Sequence, residues 1–153
     1  MKARGIVLSL VVCVFAVAVC LAADSFTGTW KLNEAKSKIG AGAVKNNTVV
    51  YEAAGDEVKV TIDGTDNEGK ATHNEWTGKF DGKDYPVTGD PSSDARALKM
   101  VNDHTIAFTV KKGGKVTITG RIVVSADGKT RTVHTTTDVK GKKVSSTAVY
   151  DKQ

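Results

Sequence analysis

The stretch Phe26-Thr27-Gly28-Thr29-Trp30-Lys31-Leu32 decides the fold that this sequence predicts. Phe26, Trp30 and Leu32 alternate with polar residues, which is the period of a half-buried β-strand. The indole of Trp30 is large enough to fill one end of a small barrel. Gly28, on the same face, leaves room for a neighbouring chain to pass close by. We therefore interpret the stretch as the first strand of an antiparallel β-barrel.

The rest of the chain continues as short strands separated by tight turns. Asp81-Gly82 and Asp127-Gly128 are strong hairpin signals, because glycine accepts the positive φ that such turns require. Val116 to Val124 has the clearest one-sided apolar alternation. Short turns make neighbouring strands antiparallel, and about ten strands with one apolar face hide their edges by closing. The sequence predicts an all-β, antiparallel up-and-down meander barrel of about ten strands.

The segment after the first strand is the only long connection in this pattern. Asn33 is suited to cap a short helical turn and Gly40 to end it, so we expect at most one or two helical turns here, followed by a linker from Ala43 to Asn47. A two-sheet sandwich is the alternative architecture. It usually needs several long crossing connections, and this chain offers one.

The opening segment has the layout of a secretion signal. Lys2 and Arg4 precede an apolar run to Ala23, so we expect a signal peptide over residues 1–23 and a barrel domain over 24–153. The alternative is an uncleaved membrane anchor. We expect a secreted or periplasmic protein, or one anchored to lipid through Cys20. Since Cys13 and Cys20 both lie in this segment, the exported domain would have no disulfide.

Charge excludes one class of partner. The formal net charge is +5, and it falls to +3 when Lys2 and Arg4 are removed. The lysines are spread over the turns with few aromatic residues among them, whereas nucleic-acid binding needs a concentrated basic face. We therefore expect no nucleic-acid partner. We also expect no membrane span after signal removal, and a monomer.

Both ends of the exported domain resemble the calycins, which include lipocalins, fatty-acid-binding proteins and avidins. Phe26 to Leu32 resembles the first strand of fatty-acid-binding proteins and contains the Gly-x-Trp pattern of lipocalins. Thr147 to Lys152 resembles the last strand of fatty-acid-binding proteins. The resemblance covers the domain and implies a calycin-like barrel around a small hydrophobic ligand. In fatty-acid-binding proteins an Arg lies two residues before the Tyr that corresponds to Tyr150, but Ala148 lies there in this chain. Residues 34–47 are also too short for that family's helical lid.

The ligand-binding residues that we predict lie on inward strand faces: Trp30, Phe108, Ile118, Ile122, Ser146 and Tyr150. The small side chain of Ser146 would leave space, and Tyr150 would supply one orienting hydroxyl. The alternative is that these side chains simply fill the barrel, since small barrels hold either side chains or one ligand.

Catalytic and metal-binding patterns are sparse. His73, His104 and His134 lack metal-ligand spacing, and no Ser lies in a Gly-x-Ser-x-Gly setting. We predict no metal, no cofactor and no enzymatic activity. The leading hypothesis is an exported barrel that binds a small hydrophobic or amphipathic ligand; the alternative is a structural or interaction protein of the cell envelope. A third hypothesis is an enzyme that uses His134 or Glu75 at the barrel mouth.

Overall fold

The computed structural model of the protein describes residues 24–40, 43–139 and 141–153. The predicted signal peptide, with Cys13 and Cys20, lies outside the described residues. Within those residues, no helix is long and apolar enough to cross a membrane.

Ten antiparallel strands form one closed barrel in meander order, as predicted. Each strand pairs with its neighbours in sequence, and β1 pairs with β10 to close the sheet. The strands are β1 Gly28–Leu32, β2 Lys45–Ala54, β3 Glu57–Thr65, β4 Ala71–Gly78, β5 Tyr85–Thr88, β6 Ala95–Asn102, β7 Thr105–Lys112, β8 Lys115–Val124, β9 Thr130–Val139 and β10 Lys142–Lys152.

A meander gives the barrel two distinct ends, because successive turns alternate between them. One end, here called the linker end, holds the β1–β2 connection and the β3–β4, β5–β6, β7–β8 and β9–β10 turns. The other end, here called the tryptophan end, holds the remaining turns, the start of β1 and the end of β10. There Trp30 lies opposite Lys152 in the β1–β10 ladder.

The tryptophan end is tightly packed, as the size of Trp30 predicts. Trp30 and Phe26 are both 0% exposed, and the Trp30 indole N–H donates to the carbonyl oxygen of Phe26 at 2.8 Å. The ring of Phe26 meets the ring of Phe80 edge-on, with centroids 6.1 Å apart. Gly28 has a φ of +115°, and a Cβ there would lie 3.1 Å from Lys152 Cε. The close neighbour that Gly28 accommodates is thus a side chain of β10.

The linker between β1 and β2 holds one short helix, as predicted. A 3₁₀ helix spans Glu34–Lys36, and the Asn33 side chain accepts from the Lys36 N–H at its start. The helix ends at Lys36 rather than near Gly40. The reason is that the chain beyond it pairs with β10, through two hydrogen bonds between Lys38 and Thr147 of 2.7 and 2.8 Å.

One residue of the clearest predicted strand faces the opposite way. Val116 was expected to face inward with Ile118, but it is 50% exposed. The β7–β8 register shifts between Val110 and Lys111, so that Val116 pairs with Lys111. Opposed residues share a face of the sheet, and the Lys111 ammonium is on the outside, 2.6 Å from Asp84 Oδ2. A bulge of this kind is not visible in the alternation of residue types.

Candidate ligand-binding site

A buried arginine lies inside the barrel at the tryptophan end. Arg131, the second residue of β9, is 2% exposed, and it pairs with Tyr150 across the β9–β10 ladder. Its guanidinium carbon lies 4.4 Å from the ring centroid of Tyr150, 5.2 Å from that of Tyr51 and 5.4 Å from that of Trp30. Three aromatic faces therefore surround one positive charge, which is a favourable electrostatic arrangement.

The polar atoms of Arg131 are nevertheless incompletely satisfied. Nε and Nη1 are buried and have no hydrogen-bond acceptor among the residues that the structure describes. No described carboxylate forms an ion pair with this side chain. A buried cation without an anionic partner is costly, and a guanidinium stays charged at any physiological pH. Two donor nitrogens of Arg131 therefore lack an acceptor, and an anionic acceptor would also compensate the positive charge.

Tyr150 is the nearest hydroxyl-bearing residue to this charge. Burial raises the pKa of its hydroxyl, while the charge of Arg131 acts in the opposite direction. The hydroxyl is thus neutral at physiological pH and can donate a hydrogen bond to an anion. Tyr51, 3% exposed, completes the same cluster. We refer to Arg131, Tyr51 and Tyr150 as the interior cationic cluster.

An apolar wall begins next to this cluster and runs toward the linker end. Val133 and Ala148 are the next inward residues of β9 and β10, and they pair with each other. Both are only partly buried although they lie well inside their strands, and so is Phe108 on β7. Their partial exposure shows that solvent reaches these inward positions. The apolar wall adjoins a positive charge, which is the polarity pattern of a site for an amphipathic molecule.

Small side chains line part of this wall. Gly120 of β8 pairs with Phe108, and a Cβ on Gly120 would lie 2.5 Å from Phe108 Cζ. The Phe108 ring therefore lies flat over the glycine and does not project across the interior. On β10, Ala148 and Ser146 occupy the inward positions beyond Tyr150.

The six residues predicted to bind ligand divide into two groups in the structure. Trp30, Ile122 and Tyr150 belong to the buried core, at 0, 6 and 3% exposure. Phe108, Ile118 and Ser146 are partly buried and lie nearer the linker end. The predicted apolar pocket between Trp30, Phe108 and Tyr150 is occupied at its tryptophan end by Arg131, which contacts two of the three rings.

The linker pairs along β10 beside this second group. The Ser146 hydroxyl accepts from the Gly40 N–H at 3.0 Å, and a Cβ on Gly40 would lie 3.1 Å from Val144 Cγ1. Nearby, the Ser37 hydroxyl donates to Asn33 O at 2.7 Å and accepts from Val149 N at 2.9 Å. In place of a helical lid, this chain has a short linker that these hydrogen bonds hold against β10.

A second arginine lies inside the barrel on the opposite wall. Arg96 of β6 donates through Nη2 to Asn74 Oδ1 at 3.3 Å, and its carbonyl accepts from the Trp76 indole at 2.9 Å. Burial lowers the pKa of Arg96, whereas the nearby Tyr51 and Asp90 raise it. Unlike Arg131, this arginine has an amide partner and a nearby carboxylate.

The two side chains considered for catalysis at the mouth lie on the outer surface instead. His134 is exposed, and its Nδ1 is 3.1 Å from Thr147 Oγ1. Glu75 forms an ion pair with Lys59 at 2.7 Å, and the hydrogen bond from Lys59 lowers the pKa of Glu75. Strand alternation places both residues out of phase with the inward side chains of β9 and β4. In the part of the chain that the structure describes, no group of three or more His, Asp or Glu residues has metal-site geometry.

Arg131 is the site residue that sequence reasoning missed. The β9–β10 hairpin could have indicated its inward position. Pairing residues outward from the Lys140-Gly141 turn places Arg131 opposite Tyr150 and on the same face as Val133. The resemblance to the last strand of fatty-acid-binding proteins places the expected arginine at Ala148 on β10, which is the strand next to that of Arg131. The structure supplies an arginine beside Tyr150, but from β9.

Comparisons with known proteins give structural similarity only. No family model matches the sequence, and no curated protein matches it. A solved structure of a redesigned β-barrel, mFAP1, bound to DFHBI is similar to this chain with 14% sequence identity and a TM-score of 0.47, covering 86% of this chain and 99% of that chain. A second, EF1p2_mFAP2b bound to DFHBI, has 13% identity and a TM-score of 0.45, covering 87% of this chain and 98% of that one.

Proposed function

We propose that this chain is an exported calycin-like barrel that binds one small amphipathic molecule with an anionic group. The observation that carries the proposal is the interior cationic cluster, in which Arg131 is buried with two unpartnered nitrogens beside a partly exposed apolar wall. The anionic group would lie against Arg131 and the Tyr150 hydroxyl. The apolar part would lie along Val133, Ala148 and Phe108.

The binding energy in this proposal comes from two sources. Apolar surface removed from water contributes about 25 cal/mol per Å², which favours a ligand with an extended hydrocarbon part. A charge-assisted hydrogen bond to the guanidinium contributes about 1.5–3 kcal/mol and satisfies donors that are otherwise unpaired. An uncharged apolar ligand would gain the first contribution alone. The site should therefore prefer a carboxylate over an alcohol with the same chain.

Export is part of the proposal and rests on the sequence. Lys2 and Arg4 followed by the apolar run to Ala23 support a cleaved signal and a secreted or periplasmic protein. Lipid anchoring through Cys20 is the alternative localisation. No catalytic role is proposed, because the interior cationic cluster offers a guanidinium and two tyrosine hydroxyls but no carboxylate or imidazole as a general base.

The first experiment weighs the mature protein from its own host by native mass spectrometry. An additional mass that is lost on denaturation supports the proposal, and its accurate mass identifies the molecule. The same spectrum reports the length of the mature chain and any lipid on Cys20.

The second experiment measures the preference for an anion. Binding of a medium-chain fatty acid and of the alcohol of equal chain length is followed by calorimetry in the wild type, in Arg131→Met and in Arg121→Met. Arg121 is the matched control, since it is exposed on the outer face of β8. The proposal expects preference for the acid in the wild type and in Arg121→Met, and loss of that preference in Arg131→Met. Equal binding of acid and alcohol by the wild type would contradict it.

A specific observation supports the alternative, an interaction protein with a filled barrel. The outer surface of β8 and β9 has a shallow groove of about 310 Å³, lined by Thr119, Gly120, Arg121, His134 and Thr136. A native spectrum of bare polypeptide, together with no binding of either amphiphile, would favour this function and direct attention to the groove.

A further inference from the structure

We infer that the linker end of the barrel docks on a bilayer surface that carries anionic lipids. The inference concerns a surface, and it does not depend on whether the interior binds a ligand. It rests on how the meander distributes lysines and exposed valines.

The fold gathers lysines that are dispersed in the sequence. Because alternate turns of a meander meet at one end, the β7–β8 and β9–β10 tips lie side by side, with Ile118 opposite Thr137 at the near end of the β8–β9 ladder. Exposed lysines occupy both tips and the linker that pairs with β10, namely Lys38, Lys112, Lys115, Lys142 and Lys143. We call these five residues the basic rim.

The lysines of the basic rim are available for an external partner. None of them forms an ion pair with a residue that the structure describes. Two acidic side chains near the rim accept backbone hydrogen bonds: Asp94 of the β5–β6 turn accepts from the Gly113 N–H at 2.7 Å, and Asp138 near the end of β9 accepts from the Gly141 N–H at 2.8 Å. Both carboxylates keep their negative charge, but the five lysines of the basic rim outnumber them, so this region has a net positive charge.

Exposed apolar side chains accompany these lysines. Val116 is 50% exposed and follows Lys115; Val144 is 37% exposed and follows Lys143. A third valine, Val44, is 51% exposed and lies just before β2 at the same end. Lysines beside protruding apolar side chains fit a membrane surface, where the charges meet anionic headgroups and the apolar groups enter the interface.

The remaining turns of this end carry the opposite charge, which predicts an orientation. Asp66 and Glu68 lie in the β3–β4 turn and Asp90 lies in the β5–β6 turn. An anionic surface repels these groups and attracts the basic rim. The protein should therefore tilt so that β7 to β10 approach the bilayer and β3 to β6 remain away from it.

The test is sedimentation of the mature wild-type protein with vesicles of phosphatidylcholine, with and without phosphatidylglycerol. Lys115→Glu/Lys143→Glu reverses two charges of the basic rim. Lys83→Glu/Lys129→Glu reverses two exposed lysines of turns at the tryptophan end, so the net charge of the two variants is equal. One lysine near an anionic surface is worth about a fivefold change in partition.

The inference expects the wild type to bind only the vesicles with phosphatidylglycerol, and salt to release it. The rim variant should lose about tenfold or more of this binding, and the control variant should keep most of it. Absence of binding at low salt would overturn the inference. An equal loss in both variants would also overturn it, because net charge and not the rim would then be responsible.

Discussion

Arg131 and Tyr150 face each other across the β9–β10 ladder, with the guanidinium carbon 4.4 Å from the centre of the phenol ring. The pair lies in the barrel interior, and two guanidinium nitrogens have no acceptor within the described residues. The cross-strand ladder fixes the backbone of Arg131, and the side chain is only 2% exposed.

The first prediction concerns the cost of this buried charge. In Arg131→Met the side chain keeps much of its volume but loses its charge. The aromatic contacts that are lost are worth about 0.5–2 kcal/mol each, while each buried donor without an acceptor costs about 1–3 kcal/mol. These contributions largely cancel, so we expect the free energy of unfolding of the ligand-free protein to change by less than about 2 kcal/mol. Urea denaturation measures this change.

Arg131→Ala is the control for packing in the same assay. It removes the same charge but leaves a cavity, and a large-to-small change in a core costs about 2–5 kcal/mol. Similar losses in the methionine and alanine variants would contradict the prediction, because they would show that the guanidinium itself holds the barrel together.

The second prediction concerns the close contact at Gly120. A Cβ there would lie 2.4 Å from the carbonyl oxygen of His134 and 2.5 Å from Phe108 Cζ. The backbone of β9 cannot yield without breaking the ladder, so Gly120→Ala should lose about 1–3 kcal/mol of stability or more. Thermal denaturation measures the loss, with Thr119→Ala on the exposed outer face as control. Equal melting temperatures for the two variants would refute the close approach.

The third prediction concerns the hydrogen bonds that attach the linker to β10. The Ser37 hydroxyl bonds both to Asn33 within the linker and to the backbone of Val149 on β10. Ser37→Ala leaves the Val149 N–H without this acceptor and should cost about 1–2 kcal/mol. Amide hydrogen exchange should accelerate at Val149 and across the linker, but not at the tryptophan end. Ser145→Ala, on an exposed position of β10, is the control, and the same exchange pattern in both variants would contradict the prediction.

The architecture could be predicted from the sequence because it depends on turn residues and on apolar alternation, and both are visible within short stretches of sequence. Asp81-Gly82 and Asp127-Gly128 set hairpins, hairpins force antiparallel neighbours, and the apolar face of each strand requires closure. Register defects are not local in this sense. The shift that turns Val116 outward depends on its pairing with Lys111 on another strand, and alternation within β8 cannot reveal it.

The candidate site could be predicted only in part for a related reason. Trp30, Ile122 and Tyr150 are large residues on the apolar faces of their strands, and the apolar alternation correctly places them inside the barrel. Arg131 was missed because a charged residue in a strand is expected to face water. Its inward position follows from its pairing with Tyr150 on the neighbouring strand. The residue type alone does not indicate that position.

The last prediction concerns pH and the β5–β6 turn. Burial would raise the pKa of Asp90, but hydrogen bonds from Ser92 and Ser93 outweigh it and leave the pKa below the ordinary 3.8. The Ser93 hydroxyl, on a residue only 2% exposed, donates to Asp90 Oδ2 at 2.6 Å. The folded protein therefore binds this proton less tightly than the unfolded chain does. The stabilising contribution is complete above pH 3.8 and is lost as pH falls through the lowered pKa.

Asp90→Asn should consequently cost about 1.5–3 kcal/mol near neutral pH, because hydrogen bonds to a charged acceptor become bonds to an amide. The difference from the wild type should shrink at acidic pH, as the pH falls below 3.8 and through the lowered pKa of Asp90, because the wild-type carboxylate then also becomes protonated. Urea denaturation at both pH values measures it, with Asp103→Asn in the exposed β6–β7 turn as control. A difference between wild type and Asp90→Asn that stays constant with pH would show that the serine hydrogen bonds do not depend on the carboxylate charge.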